Sequence, residues 1–230
     1  MIKHCIVCLG LFSTAALAGD HSAYEPVVPI DNEPSHHLVL NSASIRVFDV
    51  LFPAEKQSLW HMHNKDSVLL CLDGADVPSE EPGVEPVKRP PIPSGLIYYR
   101  EYASKPFVHR IRNAGKTDFR ILDIEVLKER SAAMELAALG NGFSTVIEND
   151  RVRVSKALVK PDASLESLNF KGPHLLVSTT EGKFKIESPG QPAVEVSAAR
   201  GSLRVEEKGR QASIRNIGPQ DLEIVVVEVK

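Results

Sequence analysis

Between residues 38 and 127 the apolar side chains come in short runs, many alternating with polar ones, and each run ends within a few residues at Pro, Gly, Asn or Asp. A period of two, filled by Val, Ile, Leu and aromatic residues, is the pattern of strands with a buried face. It predicts strands over 38–40, 45–52, 58–63, 68–72, 96–102, 108–112 and 119–127. Only 129–139, rich in Ala, Leu and Glu and closed by Gly140-Asn141-Gly142, has helical character. The chain repeats itself on either side of that piece. The stretch from His109 to Lys128 recurs from Ser213 to Lys230, sharing Ile-Arg-Asn-x-Gly at Ile111, Arg112, Asn113, Gly115 and at Ile214, Arg215, Asn216, Gly218, and Asn41 to Pro53 resembles Asn149 to Pro161. The economical reading is two copies of one all-β unit, at 38–128 and 144–230, joined by a connector with a short helix at 129–143.

The ends of the pattern suggest processing. Residues 1–18 carry Lys3, an apolar run from Cys5 to Leu17 and Ala16-Leu17-Ala18 before Gly19, which predicts a secretory signal peptide and a secreted or periplasmic protein. Residues 19–37, with prolines, acids and little periodicity, read as an N-terminal arm. His36 and His37 are adjacent, so on a regular strand they face opposite ways, and both are expected at the surface. Loss of the leader removes Cys5 and Cys8 and leaves Cys71 alone, so no intrachain disulfide is expected. A net charge of -3 with no basic run argues against nucleic acid. No membrane partner is expected after signal cleavage, a small molecule is the expected partner, and homo-oligomers are compatible with all of this.

Candidate chemistry sits in Trp60-His61-Met62-His63. On a strand His61 and His63 project to one face, whereas a helix would set them roughly 200° apart. Matching Ser58 to His63 against Ser164 to Asn169 places Ser167 and Asn169 opposite the two histidines, and Ser213 is taken as the counterpart of His109. Three imidazoles missing from one copy of a retained scaffold is what a single metal centre, lost in that copy, would leave. Tyr98, Arg100 and Tyr102 share a strand face. Arg100 could hold a substrate carboxylate between two phenols, or simply be solvated. The proline-rich loop at 76–94 could cover a site or run over the surface.

These residues resemble a bicupin of the cupin superfamily. In the first cupin motif, Gly-x5-His-x-His-x(3,4)-Glu-x6-Gly, His61, His63 and Gly74 fall in register; in the second, Gly-x5-Pro-x-Gly-x2-His-x3-Asn, so do His109 and Asn113. The chain departs from the motifs at Glu55, at Ser67 in the glutamate slot, and at Ser104-Lys105-Pro106. The resemblance implies two tandem double-stranded β-helix, or jelly-roll, barrels. It implies a divalent transition metal (Fe, Mn, Ni, Cu or Zn) on His61, His63 and His109, with open positions for water, substrate or dioxygen. Asp66, one residue short of the glutamate slot, is either an alternative ligand or, the favoured role, a carboxylate that orients a ligand imidazole. The implied function is a metal-dependent, oxygenase-like enzyme acting on a small organic molecule, with catalytic residues unassigned. The alternatives are a non-catalytic bicupin that binds metal or a small ligand, and a purely structural β protein.

Overall fold

The computed structural model describes residues 25–85, 87, 89–129, 135–136 and 138–230. Its first half carries β1 (Val28–Pro29), β2 (His36–Asn41), β3 (Ile45–Phe52), β4 (His61–His63), β5 (Ser67–Asp73), β6 (Ser79–Glu80), β7 (Ile97–Arg100), β8 (Phe107–Ile111) and β9 (Phe119–Val126). The second half carries β10 (Ser144–Glu148), β11 (Val152–Val159), β12 (Ser164–Phe170), β13 (His174–Ser178), β14 (Gly182–Glu187), β15 (Val194–Ala198), β16 (Ser202–Glu206), β17 (Arg210–Asn216) and β18 (Leu222–Val229). In the first unit the sheet β2-β3-β9-β5-β7 faces the sheet β1-β4-β8-β6; in the second, β10-β11-β18-β13-β16 faces β12-β17-β14-β15. Each unit is thus a double-sheet jelly roll, with two facing sheets instead of one continuously closed barrel.

Strand register fixes which residues of the two units correspond. Ile45 pairs with Val126 and Val152 with Val229. The same bulge recurs between Leu38 and Leu40 and between Thr145 and Ile147. Glu55 and Asp162, with φ of 66° and 61°, turn the chain at equivalent places. The shared Ile-Arg-Asn-x-Gly motif is scaffold. Asn113 donates through Nδ2 to the carbonyls of Phe52 and Thr117 and accepts from Gly115 N–H, while Asn216 donates to Val159 and Gln220 and accepts from Gly218 N–H. One buried amide thereby closes the same turn in each unit, satisfying backbone groups that would otherwise be costly to bury.

The two five-stranded sheets pack back to back. Ile45, Val47, Val68, Leu70, Leu122 and Ile124 of the first join Val152, Val154, Leu175, Val177, Val225 and Val227 of the second in one core, while Phe48, Val50, Leu69 and Ile121 face inward into their own unit. Strands buried on both faces need no polar alternation, which is why β5 and β18 read as continuous apolar runs. Because neither unit can expose that face cheaply, the protein should unfold in one calorimetric transition with equal calorimetric and van't Hoff enthalpies. Two resolved transitions would show that the units are energetically independent.

One expectation is revised, and two others fall wholly or largely outside the described residues. The expected arm is partly built into the fold: Val28–Pro29 runs parallel to His61–Met62, and His36 and His37 open β2. A two-residue pairing through the backbone leaves no periodicity to read. The helix expected at 129–139 falls largely on residues 130–134 and 137, and the signal peptide on residues 1–18, all outside the described residues; residues 135, 136, 138 and 139 have no regular structure.

Candidate metal centre

β4 and β8 pair antiparallel with His61 opposite His109, so strand alternation and register bring three imidazoles to one spot inside the first unit. Ring centroids lie 4.5 Å apart for His61 and His109, 5.1 Å for His61 and His63, and 5.0 Å for His63 and His109. The His61 and His109 rings are held by hydrogen bonds at Nδ1, and His63 Nδ1 lies beside a carboxylate. His61 Nδ1 lies 2.9 Å from the Leu59 carbonyl, which can only accept, so this nitrogen carries the proton and Nε2 the lone pair. His63 Nδ1 is 3.2 Å from Asp123 Oδ2, and His109 Nδ1 is 3.1 Å from Ser79 Oγ. His61 Nε2 is buried with no hydrogen-bond partner among the described residues, and the Nε2 atoms of His63 and His109 are 3.1 Å apart. Two nitrogens each about 2.1 Å from one ion, in tetrahedral or octahedral geometry, stand roughly 3.0–3.4 Å apart. The residues therefore fit a transition-metal ion, with a polar group beside each Nδ1 and the tautomer of His61 set by the Leu59 carbonyl.

The site includes residues that the sequence reading passed over or misplaced. His36, expected at the surface, is 8% exposed, and its ring centroid lies 4.8 Å from that of His61. His36, His61 and His63 each offer a ligand atom within 4.8 Å of the others. At the start of β2 His36 is buried and the adjacent His37 is exposed, while Leu38 beyond it is exposed as well. Asp66 is corrected too. Its Oδ2 accepts from Arg151 Nε at 3.0 Å and its Oδ1 from Ala103 N–H at 3.0 Å, so it joins the two units instead of touching an imidazole. The carboxylate beside the histidines is Asp123, on an apolar strand 60 residues further along than His63, too far in sequence to be read as part of a motif.

Above the imidazoles lies a cavity of about 360 Å³, walled by Leu69, Tyr98, Tyr102, Phe107 and Ile121 and reached by Arg100. Arg100 stacks over Tyr98 at 4.9 Å from the ring centroid. Burial pushes the Tyr98 phenol up to about 12 and raises Tyr102 as well, so both remain O–H donors at neutral pH. The proline-rich loop forms a further wall: Ala75 bridges Ile92, and Val77, Ser79, Arg89 and Pro90 also line the cavity. This crossing depends on Gly74, where a Cβ would lie 2.2 Å from the Ile92 carbonyl oxygen.

Strand register also corrects the counterparts in the second unit. Leu168 pairs with Ala212 where His61 pairs with His109, so the three histidines correspond to Leu168, Phe170 and Ala212, one position away from Ser167, Asn169 and Ser213. Asp123 corresponds to Val226, and His36 to Phe143. All five are apolar and pack in that unit's core. Ser167, Asn169 and Ser213 line a separate cavity of about 510 Å³ with Glu187, Ser188, Pro189, Gln211 and Ala212.

Burial, the charge of the nearby His36 ring and that of His63 depress His61 to about 4, against the opposing Leu59 hydrogen bond, and burial among His61 and His63 lowers His109 well below its usual value. Burial alone would raise the Asp123 carboxyl, but the adjacent His63 outweighs it and holds it low. The unfolded His61 takes up a proton as pH falls through about 6.5 while the folded one stays neutral until about 4. The unfolded state then binds more protons, so metal-free protein should lose about 3 kcal/mol from this group as pH drops through that window, and no more below it. Chemical denaturation at pH 7 and pH 4 measures the loss, and His61→Leu should reduce it; an unchanged pH dependence in that variant would contradict the assignment.

No protein-family model and no curated protein matches the sequence. Solved structures do match in fold. A cupin 2 conserved barrel domain protein from Leptotrichia buccalis has 10% identity and a TM-score of 0.51, covering 84% of this chain and 87% of its own. Oxalate decarboxylase from Lactobacillus farciminis, in a formate complex, has 11% identity and a TM-score of 0.56, covering 81% of this chain and 77% of its own. Salicylate 1,2-dioxygenase from Pseudaminobacter salicylatoxidans has 9% identity and a TM-score of 0.54, covering 81% and 72%. The chain has the cupin fold, with two such units in tandem.

Proposed function

We propose that the protein is an exported, metal-dependent bicupin of the oxygenase type, holding an ion on His61, His63 and His109 and acting on a small organic molecule. The observation that carries the reading is the convergence of these imidazoles beneath an apolar cavity, each with a polar group beside its Nδ1. When bound, a divalent first-row ion supplies Lewis-acid or one-electron chemistry. The chain's own residues do the rest. Leu69, Phe107 and Ile121 exclude water and pack an apolar body, the phenols of Tyr98 and Tyr102 donate hydrogen bonds, and Arg100 offers a planar guanidinium to a carboxylate at the rim. Two structural neighbours are named for salicylate and oxalate, both small carboxylates, which favours that substrate class.

Protein purified without chelators or a metal-binding tag should carry about one first-row ion per chain by elemental analysis. Once loaded, it should consume dioxygen with a member of a panel of small aromatic and aliphatic carboxylates. Tight binding of such an acid without dioxygen uptake would replace the oxygenase with a ligand-binding bicupin, and absence of any ion would remove both. Amino-terminal sequencing of protein from the periplasm or medium should start near Gly19; full-length protein confined to the cytoplasm would overturn the export assignment.

A further inference from the structure

Resting on the metal reading above, we infer that His36 is a fourth imidazole ligand of the same centre, oriented by Glu33, which makes the site all-nitrogen and carboxylate-free. His36 Nδ1 lies 2.6 Å from Glu33 Oε2. The carboxylate is itself 3% exposed and is fixed by Ser35 N–H at 2.8 Å and, through its other oxygen, by Leu59 N–H at 3.3 Å. An ionised carboxylate accepts only, so Nδ1 donates and Nε2 is left with its lone pair, the same division of labour found at His61. Glu33 also ties the two ligand-bearing segments together, because Leu59, whose N–H it receives, gives its carbonyl to His61 Nδ1.

Packing alone does not call for a histidine at position 36. The ring sits edge-on to Phe48 and Phe52, with centroids 6.3 and 6.2 Å away, and the second unit fills the corresponding place with Phe143. His36 is therefore absent from the second unit together with the counterparts of His61, His63, His109 and Asp123, as one set. Its ring centroid lies 5.8 Å from that of His63, and it offers a ring nitrogen within 4.8 Å of one on each of His61 and His63. Ser67, which stands in the family's glutamate slot, is buried and bonds the Lys65 carbonyl. A sphere of imidazoles without a carboxylate suits Fe, Cu, Ni or Zn better than Mn.

The test compares His36→Phe, which the second unit shows this niche can hold, with Glu33→Gln and with His37→Ala, whose side chain points outward. Chelator competition with Zn2+ should show His36→Phe weakened by more than the roughly 100-fold that outer residues cause, and Glu33→Gln weakened about 10 to 100-fold. His37→Ala should bind as the parent does. Cu2+ titrated into the parent protein should give an electron paramagnetic resonance spectrum whose nitrogen couplings change in His36→Phe. Circular dichroism checks folding; should the phenylalanine variant not fold, Glu33→Gln with unchanged affinity and unchanged spectrum overturns the inference. Unchanged Zn2+ affinity and an unchanged Cu2+ spectrum in folded His36→Phe, while His61→Leu loses both ions, would overturn the fourth ligand and leave the three-histidine centre standing. A parent protein that takes up neither ion overturns both.

Discussion

Converting His61 to Leu and His109 to Ala in one chain should take bound metal from about one ion per chain to none. These are the residues that the second unit places at the same register, Leu168 and Ala212, both packed in its core. The substitution therefore imposes on the first unit a solution that the fold already accommodates. It removes the lone pair of His61 Nε2, which has no other partner, and one member of the His63 and His109 pair 3.1 Å apart. It leaves His63 beside Asp123, so no buried carboxylate loses its neighbour. Elemental analysis reads the outcome directly. Retention of the ion by this variant, or two tightly held ions in the parent, would exclude a single centre in the first unit.

The second large effect separates two aspartates that sequence alone cannot rank. Asp66→Ala should cost about 3–5 kcal/mol of stability, because it leaves the buried Arg151 guanidinium without its carboxylate where the two units meet. Metal affinity in the folded variant should be unchanged, since neither Asp66 oxygen contacts an imidazole: one faces Arg151 and the other the Ala103 N–H. Asp123→Asn should do the reverse at the centre, lowering affinity about 10 to 100-fold, because it removes the carboxylate charge 3.2 Å from His63 Nδ1. Denaturant melts and chelator competition on both variants decide the matter. If Asp66→Ala lost metal as badly as Asp123→Asn while staying folded, Asp66 would return to the site.

Much of the architecture was legible because it depends on local pattern. Period-two alternation located seven of the nine strands of the first unit, all but the two-residue β1 and β6, and the repeated Ile-Arg-Asn-x-Gly, which turns on one buried asparagine, exposed the duplication. The His-x-His pair was readable for the same reason: side chains two apart on a strand share a face whatever the tertiary structure. The counterparts in the second unit were misjudged by one position, and one position on a strand turns every side chain to the other face. That slip made the second unit look like a polar remnant of a site, when register shows Leu168, Phe170 and Ala212 filling a core.

What sequence by itself determined, then, was the all-β class, the two-fold repeat and the pair of histidines on β4, all set by interactions between near neighbours or by the comparison of one segment with another. What only the tertiary structure decided was which distant groups reach that pair. His36 and Glu33 come from the start of the first unit, Ser79 from β6 and Asp123 from β9; Asp66, near in sequence, turns instead to Arg151 of the other unit. The physical reason is that the direction of a side chain follows from alternation along its own strand, whereas its partner follows from sheet order and register, and those are settled by packing between segments far apart in the chain.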